Sequence, residues 1–129
     1  MIEMEYKDTR AEPFRLATGN HKGFWYYVLS LGTHPCAYVD VTGLSKCGLN
    51  PNRIDCHGGI TYSDKQLKTV DKTGWFIGWD YAHCYDYSGC MPEILNAGTK
   101  RWTTAEIIAE CKNVIDQLVK MAKLPELRG

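Results

Sequence analysis

Two short segments of this 129-residue chain carry the side chains that are best suited to chemistry. One sets His57 before a glycine pair, and the other spaces Asp80, His83 and Asp86 three residues apart. That spacing aligns the three along one side of a helical turn, or allows them to converge in an irregular loop. With His57 supplied by a neighbouring strand, the set could hold a transition metal or provide an acid and a base near neutral pH. A structural role, in which these residues hydrogen-bond the loop backbone, is the alternative.

Aromatic residues are concentrated between Trp75 and Tyr87, which favours either a buried core or a platform for a ligand. In a strand, alternation would send Trp75, Ile77 and Trp79 to one face and the residues between them to the other. Exposed rings stack on a nucleobase, whereas large rings in a small domain also fill its core. We predict that ligand contacts are made by His57, Gly58, Gly59, Thr61, Trp79, Asp80, Tyr81, His83 and Asp86.

Several familiar catalytic and cofactor motifs are absent from the sequence. There is no G-x-S-x-G nucleophile elbow, no Walker or G-x-G-x-x-G phosphate loop, and no C-x-x-C pair. The cysteines match no zinc-ligand spacing and are typical of buried thiols. The glycine pair suits a backbone that passes close to a ligand or another strand. We therefore predict no resident cofactor, with a divalent transition metal at His57, Asp80, His83 and Asp86 as the alternative.

Composition indicates one globular domain over residues 1–129. The 15 basic and 15 acidic residues cancel, so no overall field draws the protein to duplex DNA or to an anionic membrane. No apolar run resembles a signal peptide or approaches the roughly 20 residues of a membrane span. We therefore expect a cytoplasmic protein with no membrane partner and no non-specific binding to duplex DNA.

The elements that must position these residues are predicted from hydrophobic pattern and chain breakers. Three stretches rich in aromatic and β-branched residues are predicted to be strands: 23–31, 54–63 with a bulge at Gly58-Gly59, and 75–80. Residues 1–22 are polar and are predicted to form an irregular or partly extended lead-in. Glycine, proline and polar residues predict connections or loops in 37–52, 64–74 and 85–101.

The C-terminal helix, predicted over residues 103–123, has the clearest signal in the chain. Thr103 and Glu106 match a capping box, in which each side chain satisfies a backbone N–H of the first turn. Apolar residues then recur with the 3.6-residue period from Ile107 onward, and Pro125 follows the helix end. These elements predict an α+β fold, a small and mainly antiparallel sheet with this long amphipathic helix packed on one face.

In its ordered segments HGGITY (57–62) and GWDYAHCYD (78–86), the chain resembles a family of small proteins encoded by tailed bacteriophages and prophages. The family pattern combines a His-Pro turn, H-G-G-[LI]-T-[YF], G-[FW]-D-x-A-H-x-x-D and a closing amphipathic helix. Here the turn is His34-Pro35, and the match spans residues 24–120. The resemblance implies a phage accessory role and points to the histidines and aspartates of the two segments, but it implies no substrate.

Two classes of function remain open at this point. The leading expectation is a phage-encoded accessory protein with a counter-defence role, such as an anti-CRISPR protein or a nucleotide sponge. It would bind a nucleotide-like small molecule or a host defence protein without turnover, in the host bacterial cytosol. The alternative is a small hydrolase, with or without a metal ion, that uses the cluster of His57, Asp80, His83 and Asp86. A homo-oligomer is compatible with either function.

Overall fold

The computed structural model describes residues 14–31, 34–44, 49–83, 86 and 98–123. Within these residues the regular elements are β1 (Phe14–His21), β2 (Phe24–Ser30), β3 (Pro35–Asp40), β4 (Tyr62–Leu67), β5 (Lys72–Asp80) and α1 (Thr104–Lys123). Short 3-10 helices lie at Thr42–Leu44, Pro51–Arg53 and Lys68–Val70. The strands form one sheet in the order β1-β2-β3-β5-β4, and every neighbouring pair is antiparallel. The predicted α+β class, with a helix on one face of an antiparallel sheet, is confirmed.

The helix α1 begins at the predicted capping box. The N–H of Glu106 donates to Thr103 Oγ1 at 3.1 Å, and the N–H of Thr103 donates to Glu106 Oε1 at 3.0 Å. One stripe of the helix is buried and consists of Ile107, Cys111, Val114, Ile115, Leu118 and Met121. This stripe joins Val28, Val39 and Ile77 of the sheet in a single apolar cluster. Burial of the stripe, more than intrinsic helix propensity, therefore stabilises α1 in the protein.

Both faces of the sheet carry apolar side chains. Ile77 and Trp79 of β5 belong to the cluster that contains α1, whereas Phe76 belongs to a second cluster with Tyr27 and Leu29 of β2. The predicted alternation along residues 75–80 is therefore confirmed. Burial on both faces produces nearly continuous apolar runs in sequence, which is why β2 and β5 were predicted from pattern alone.

The two edge strands were not predicted. β1 occupies part of the stretch 1–22 that was predicted to be an irregular or partly extended lead-in. β4 begins at the end of the predicted strand 54–63 and runs into the predicted connection 64–74. Most side chains of both strands are exposed or half-buried, so their sequences carry little apolar signal. The strands are instead held by main-chain pairing, β1 with β2 and β4 with β5. Edge strands of this kind are hard to predict from hydrophobic pattern, because the preference of a residue for a strand depends mainly on how its side chain packs, and here few side chains are packed.

Two predictions close to the candidate site were also wrong. β3 lies largely within the predicted loop 37–52, because its Ala37 and Val39 are buried in the cluster with α1. Residues 54–61, predicted to be a bulged strand, form an irregular segment with a turn at residues 57 and 58. Gly58 and Gly59 have φ values of +70° and +78°, a left-handed backbone that takes this segment out of the sheet.

Some predicted features fall outside the described residues. These include most of the loop 85–101, the first 13 residues of the lead-in, and Pro125 beyond the helix end. Among the residues that are described, no helix is long and apolar enough to cross a membrane.

Candidate metal centre

The turn that carries His57 is anchored to α1. The main-chain N–H of His57 donates to Glu110 Oε1 at 3.0 Å. The N–H of Asp55 donates to Gln117 Oε1 at 2.8 Å, and Gln117 Nε2 donates to Asp55 O at 2.7 Å. These bonds satisfy main-chain groups that a strand would have paired with its neighbour. The helix therefore positions His57, which was predicted to lie on a strand.

Asp80, His83 and Asp86 lie where β5 ends and converge in an irregular turn, one of the two predicted arrangements. The N–H of Ala82 donates to Asp80 Oδ1 at 3.2 Å as the chain leaves the sheet. The N–H of Asp86 donates to the carbonyl of His83 at 2.8 Å and closes the turn. Residues 81–83 are not helical, so Asp80 and His83 do not align on a helical turn.

Asp86 is the hub of the site. Its side chain is only 3% exposed, and its Oδ2 lies 2.8 Å from His57 Nε2. The main-chain N–H of His83 donates to the same oxygen at 3.0 Å, and Trp102 Nε1 donates to Oδ1 at 2.8 Å. Burial by itself opposes ionisation of Asp86, but these hydrogen bonds outweigh it and hold the pKa of the carboxyl below its ordinary value. An ionised carboxylate can only accept hydrogen bonds, so the hydrogen in the bond between His57 and Asp86 is carried by His57 Nε2.

The ring of His57 is fixed by aromatic neighbours. It stacks on Tyr81 with ring centroids 4.6 Å apart and an interplanar angle of 8°. Trp102 meets it edge-on at 4.9 Å. Tyr81 and Trp79 are each 1% exposed, and Trp79 Nε1 donates to the Tyr81 hydroxyl at 3.0 Å. Both rings were predicted to contact a ligand, and both are buried in the core, where Tyr81 packs against the ring of His57.

His83 is held in an unusual environment for an imidazole. Although 39% of the side chain is exposed, its Nε2 atom is buried and has no hydrogen-bond partner among the described residues. Asp80 Oδ1 lies 3.5 Å away without forming a hydrogen bond. A Cβ at Gly58 would lie 2.1 Å from the same nitrogen, so only glycine allows this close approach of backbone and ring.

Three of the four predicted metal ligands come together. One ligand atom each from His57, His83 and Asp86 lies within 4.8 Å of the others. Tetrahedral ligands held about 2.0–2.1 Å from one ion stand about 3.3–3.4 Å apart, somewhat more than the 2.8 Å of the hydrogen bond between His57 Nε2 and Asp86 Oδ2. Small movements would admit an ion, with release of the hydrogen on His57. Asp80 lies beside this group but is not one of the three.

A cleft lined by Asp80 adjoins the metal centre, since Asp80 Oδ1 lies 3.5 Å from His83 Nε2. Its volume is about 200 Å³, and its lining includes His34, Cys36, Tyr38, Thr61, Tyr62 and Asp80. Thr61 Oγ1 donates to Asp80 Oδ2 at 3.3 Å, which ties the wall of the cleft to the turn after β5. Three of the predicted ligand contacts, Thr61, Trp79 and Asp80, therefore line this cleft.

Sequence reasoning missed two residues that organise the site, Trp102 and Glu110. The tryptophan immediately before the capping box was a visible signal, since buried indoles donate to a partner. Glu110 lies on the helix and had no distinguishing pattern. Of the cysteines, Cys36 belongs to the second apolar cluster and Cys56 packs against the first, so they do not share a metal site. Burial raises the pKa of Cys36 to about 11 and that of Cys56 to about 12.

Comparison with protein-family models gave no match to this chain, and neither curated proteins nor solved structures gave one. Function is therefore inferred from the side chains and their geometry.

Proposed function

We propose that the protein binds one divalent transition metal ion through His57, His83 and Asp86 and acts as a small metal-dependent hydrolase. The observation that carries this proposal is the imidazole of His83. Its Nε2 is buried without a hydrogen-bond partner among the described residues, and a ligand atom of the ring lies within 4.8 Å of those of the other two. An unpaired buried nitrogen is unfavourable in a folded protein, and coordination to an ion would remove that cost.

The surroundings of the three side chains support a metal site. Trp102 orients the carboxylate of Asp86, and Tyr81 holds the ring of His57. Partners of this kind are typical around metal ligands, because they orient the donor atoms. Three protein ligands leave a coordination position open, as in catalytic rather than structural sites. A bound ion would act as a Lewis acid and lower the pKa of its water.

Binding without turnover is the second candidate, and one observation favours it. Both oxygens of Asp86 already accept hydrogen bonds, from His57, Trp102 and the N–H of His83. The carboxylate is thus satisfied with no ion present. The site would then be a rigid polar wall for a nucleotide-like ligand or a host protein, in an accessory protein with a counter-defence role. The resemblance to phage proteins is the support for that role.

Metal binding is tested by calorimetric titration of chelator-treated protein with Zn²⁺, Co²⁺ and Mn²⁺. We expect one ion per chain and a visible absorption spectrum for the Co²⁺ form. His83→Ala should weaken binding by at least about 100-fold, the upper end of the effect of losing an outer partner. His21→Ala is the matched control, because this histidine pairs with Asp116 and is not one of the three proposed ligands, so its loss should leave binding unchanged. Absence of stoichiometric binding by the wild type would refute the metal site.

Turnover is tested separately with chromogenic esters, amides and phosphodiesters. The proposed hydrolase should act on at least one of these classes when metal-loaded and lose that activity after chelation. Asp86→Asn should lose it as well, since the substitution removes a charged ligand. A protein that binds the ion but hydrolyses none of the three classes would favour the second candidate.

A further inference from the structure

The cleft beside Asp80 is large enough for a side-chain-sized group. Its volume of about 200 Å³ corresponds to roughly six or seven water molecules. A ring or a short chain with one polar end fits a volume of this size. Because Asp80 lines the cleft and also lies 3.5 Å from His83, a molecule held there would be next to the metal centre.

The described lining of the cleft carries a negative charge. The chain has no Lys or Arg in the stretches 23–45, 54–64 and 73–99, which supply every residue of the cleft and of the metal centre. Asp80 is the charged side chain in the lining. His34 does not offset it: burial lowers the pKa of this imidazole, against the opposing effect of Asp80, so the ring is neutral at pH 7.

Lys100, the basic residue that directly follows the stretch 73–99, is already paired. Lys100 Nζ lies 2.7 Å from Glu106 Oε2 and 4.3 Å from the ring centroid of Trp102. Its charge is therefore directed to the start of α1. An anion that entered the cleft would meet the carboxylate of Asp80 with no cationic side chain in the lining to compensate it.

The remaining walls also suit a donor group. Tyr38 and Tyr62 meet edge to face with centroids 5.0 Å apart, and aromatic walls tolerate a cation better than an anion. Burial raises the pKa of Tyr38, which keeps its hydroxyl neutral. Asp80 accepts one hydrogen bond on each oxygen, at 3.2 and 3.3 Å, and a carboxylate oxygen has room for a second.

We infer that this cleft binds a small group that is neutral or positively charged and donates hydrogen bonds, such as an amine, amidine or amide, and that it rejects phosphates and carboxylates. The carboxylate of Asp80 accepts from the ligand, and the tyrosines contact its apolar part. This inference goes beyond the proposed hydrolase, because it holds for the protein with or without a metal ion.

The test compares four probes that share one ring and differ in their head group: benzylamine, benzamide, benzoate and phenyl phosphate. Binding to chelator-treated, full-length protein is followed by the shifts of backbone amide signals in two-dimensional NMR. We expect benzylamine and benzamide to shift the signals of Thr61 and Tyr62, with affinities at least about tenfold above those of the two anions. Asp80→Asn should weaken benzylamine binding about ten- to hundredfold, as expected for a lost hydrogen bond to a charged group.

Asp64→Asn is the control variant, because this carboxylate lies on β4 and lines a different surface pocket. It should leave the affinity for benzylamine unchanged. Equal or tighter binding of phenyl phosphate or benzoate would overturn the inference, as would shifts confined to residues outside the cleft. Since the protein is free of metal in this experiment, its failure is distinct from failure of the metal site, which the calorimetric titration measures.

Discussion

Gly58 and Gly59 allow a matched test of whether His83 belongs to the metal centre. Both have positive φ values, +70° and +78°, so alanine meets a similar backbone penalty at either position. A Cβ at Gly58 would lie 2.1 Å from His83 Nε2, whereas a Cβ at Gly59 has nothing within 4 Å. The difference between the two alanine variants therefore reports the clash with His83.

The expected magnitudes follow from these positions. A left-handed alanine costs about 1–2 kcal/mol, and the stiffer unfolded chain offsets about 0.4–1 kcal/mol of this. Gly59→Ala should thus lose roughly 1 kcal/mol and about 3–5 °C in Tm. Gly58→Ala bears the same cost, but its Cβ also forces the ring of His83 to move from 2.1 Å to an ordinary contact beyond 3.4 Å. A movement of more than about 1 Å far exceeds the ±0.2 Å tolerance of metal–ligand distances.

The assay is calorimetric titration of both chelator-treated variants with Zn²⁺, together with thermal unfolding and an NMR spectrum to establish that each is folded. We expect Gly59→Ala to bind within about threefold of the wild type and Gly58→Ala to bind at least about 100-fold more weakly, beyond the loss of an outer partner. Equal affinities for the two folded variants would refute the reasoning, because His83 would then be displaced without consequence for the ion.

Three further predictions concern the hub and the helix start. Asp86→Asn should lower the free energy of unfolding by about 1.5–3 kcal/mol at pH 7, since it weakens hydrogen bonds to a buried charge. The pKa of Asp86 is lower in the folded than in the unfolded protein, so the extra stability of the wild type is complete above the unfolded pKa near pH 4 and shrinks as the pH falls through the folded pKa. Urea unfolding from pH 7 to pH 2 measures this change. A difference in stability that stays constant across that range would contradict it. Trp102→Phe keeps an aromatic ring but removes the N–H donor to Asp86, so the affinity for Zn²⁺ measured by calorimetry should fall about 10-fold or more. An unchanged affinity would show that the indole does not orient the carboxylate. Thr103→Ala should lower the free energy of unfolding by about 1 kcal/mol, as measured by thermal unfolding. Thr103→Ser keeps the hydroxyl that accepts from the N–H of Glu106 and should lower it little. Equal losses in the two variants would show that the cap is not the cause.

The parts of the fold that could be predicted are those with local signals. A capping box and a 3.6-residue period mark α1, and burial on both faces marks β2 and β5 as apolar runs. The edge strands β1 and β4 have no such signal, because main-chain pairing holds them and their side chains are largely exposed. β3 was missed since the glycines and proline that follow it suggested a loop throughout 37–52.

The candidate site shows the same division. Residue type and spacing singled out His57, Asp80, His83 and Asp86, because three of them recur at intervals of three residues and two are among the four histidines of the chain. Pattern did not distinguish the buried hub, Asp86, from the half-exposed Asp80. It also favoured a strand at residues 54–63, where the two left-handed glycines form a turn instead.

The order of residues specifies which donor groups are available, where the helix begins, and which stretches must be buried. Packing of the folded chain brings His57 to Asp86 across 29 residues of sequence, and Glu110 to the main chain of His57 across 53. Such contacts depend on how a sheet, a turn and a helix pack against one another. A side chain's local neighbours in sequence do not specify that packing, and so the site exists only in the folded chain.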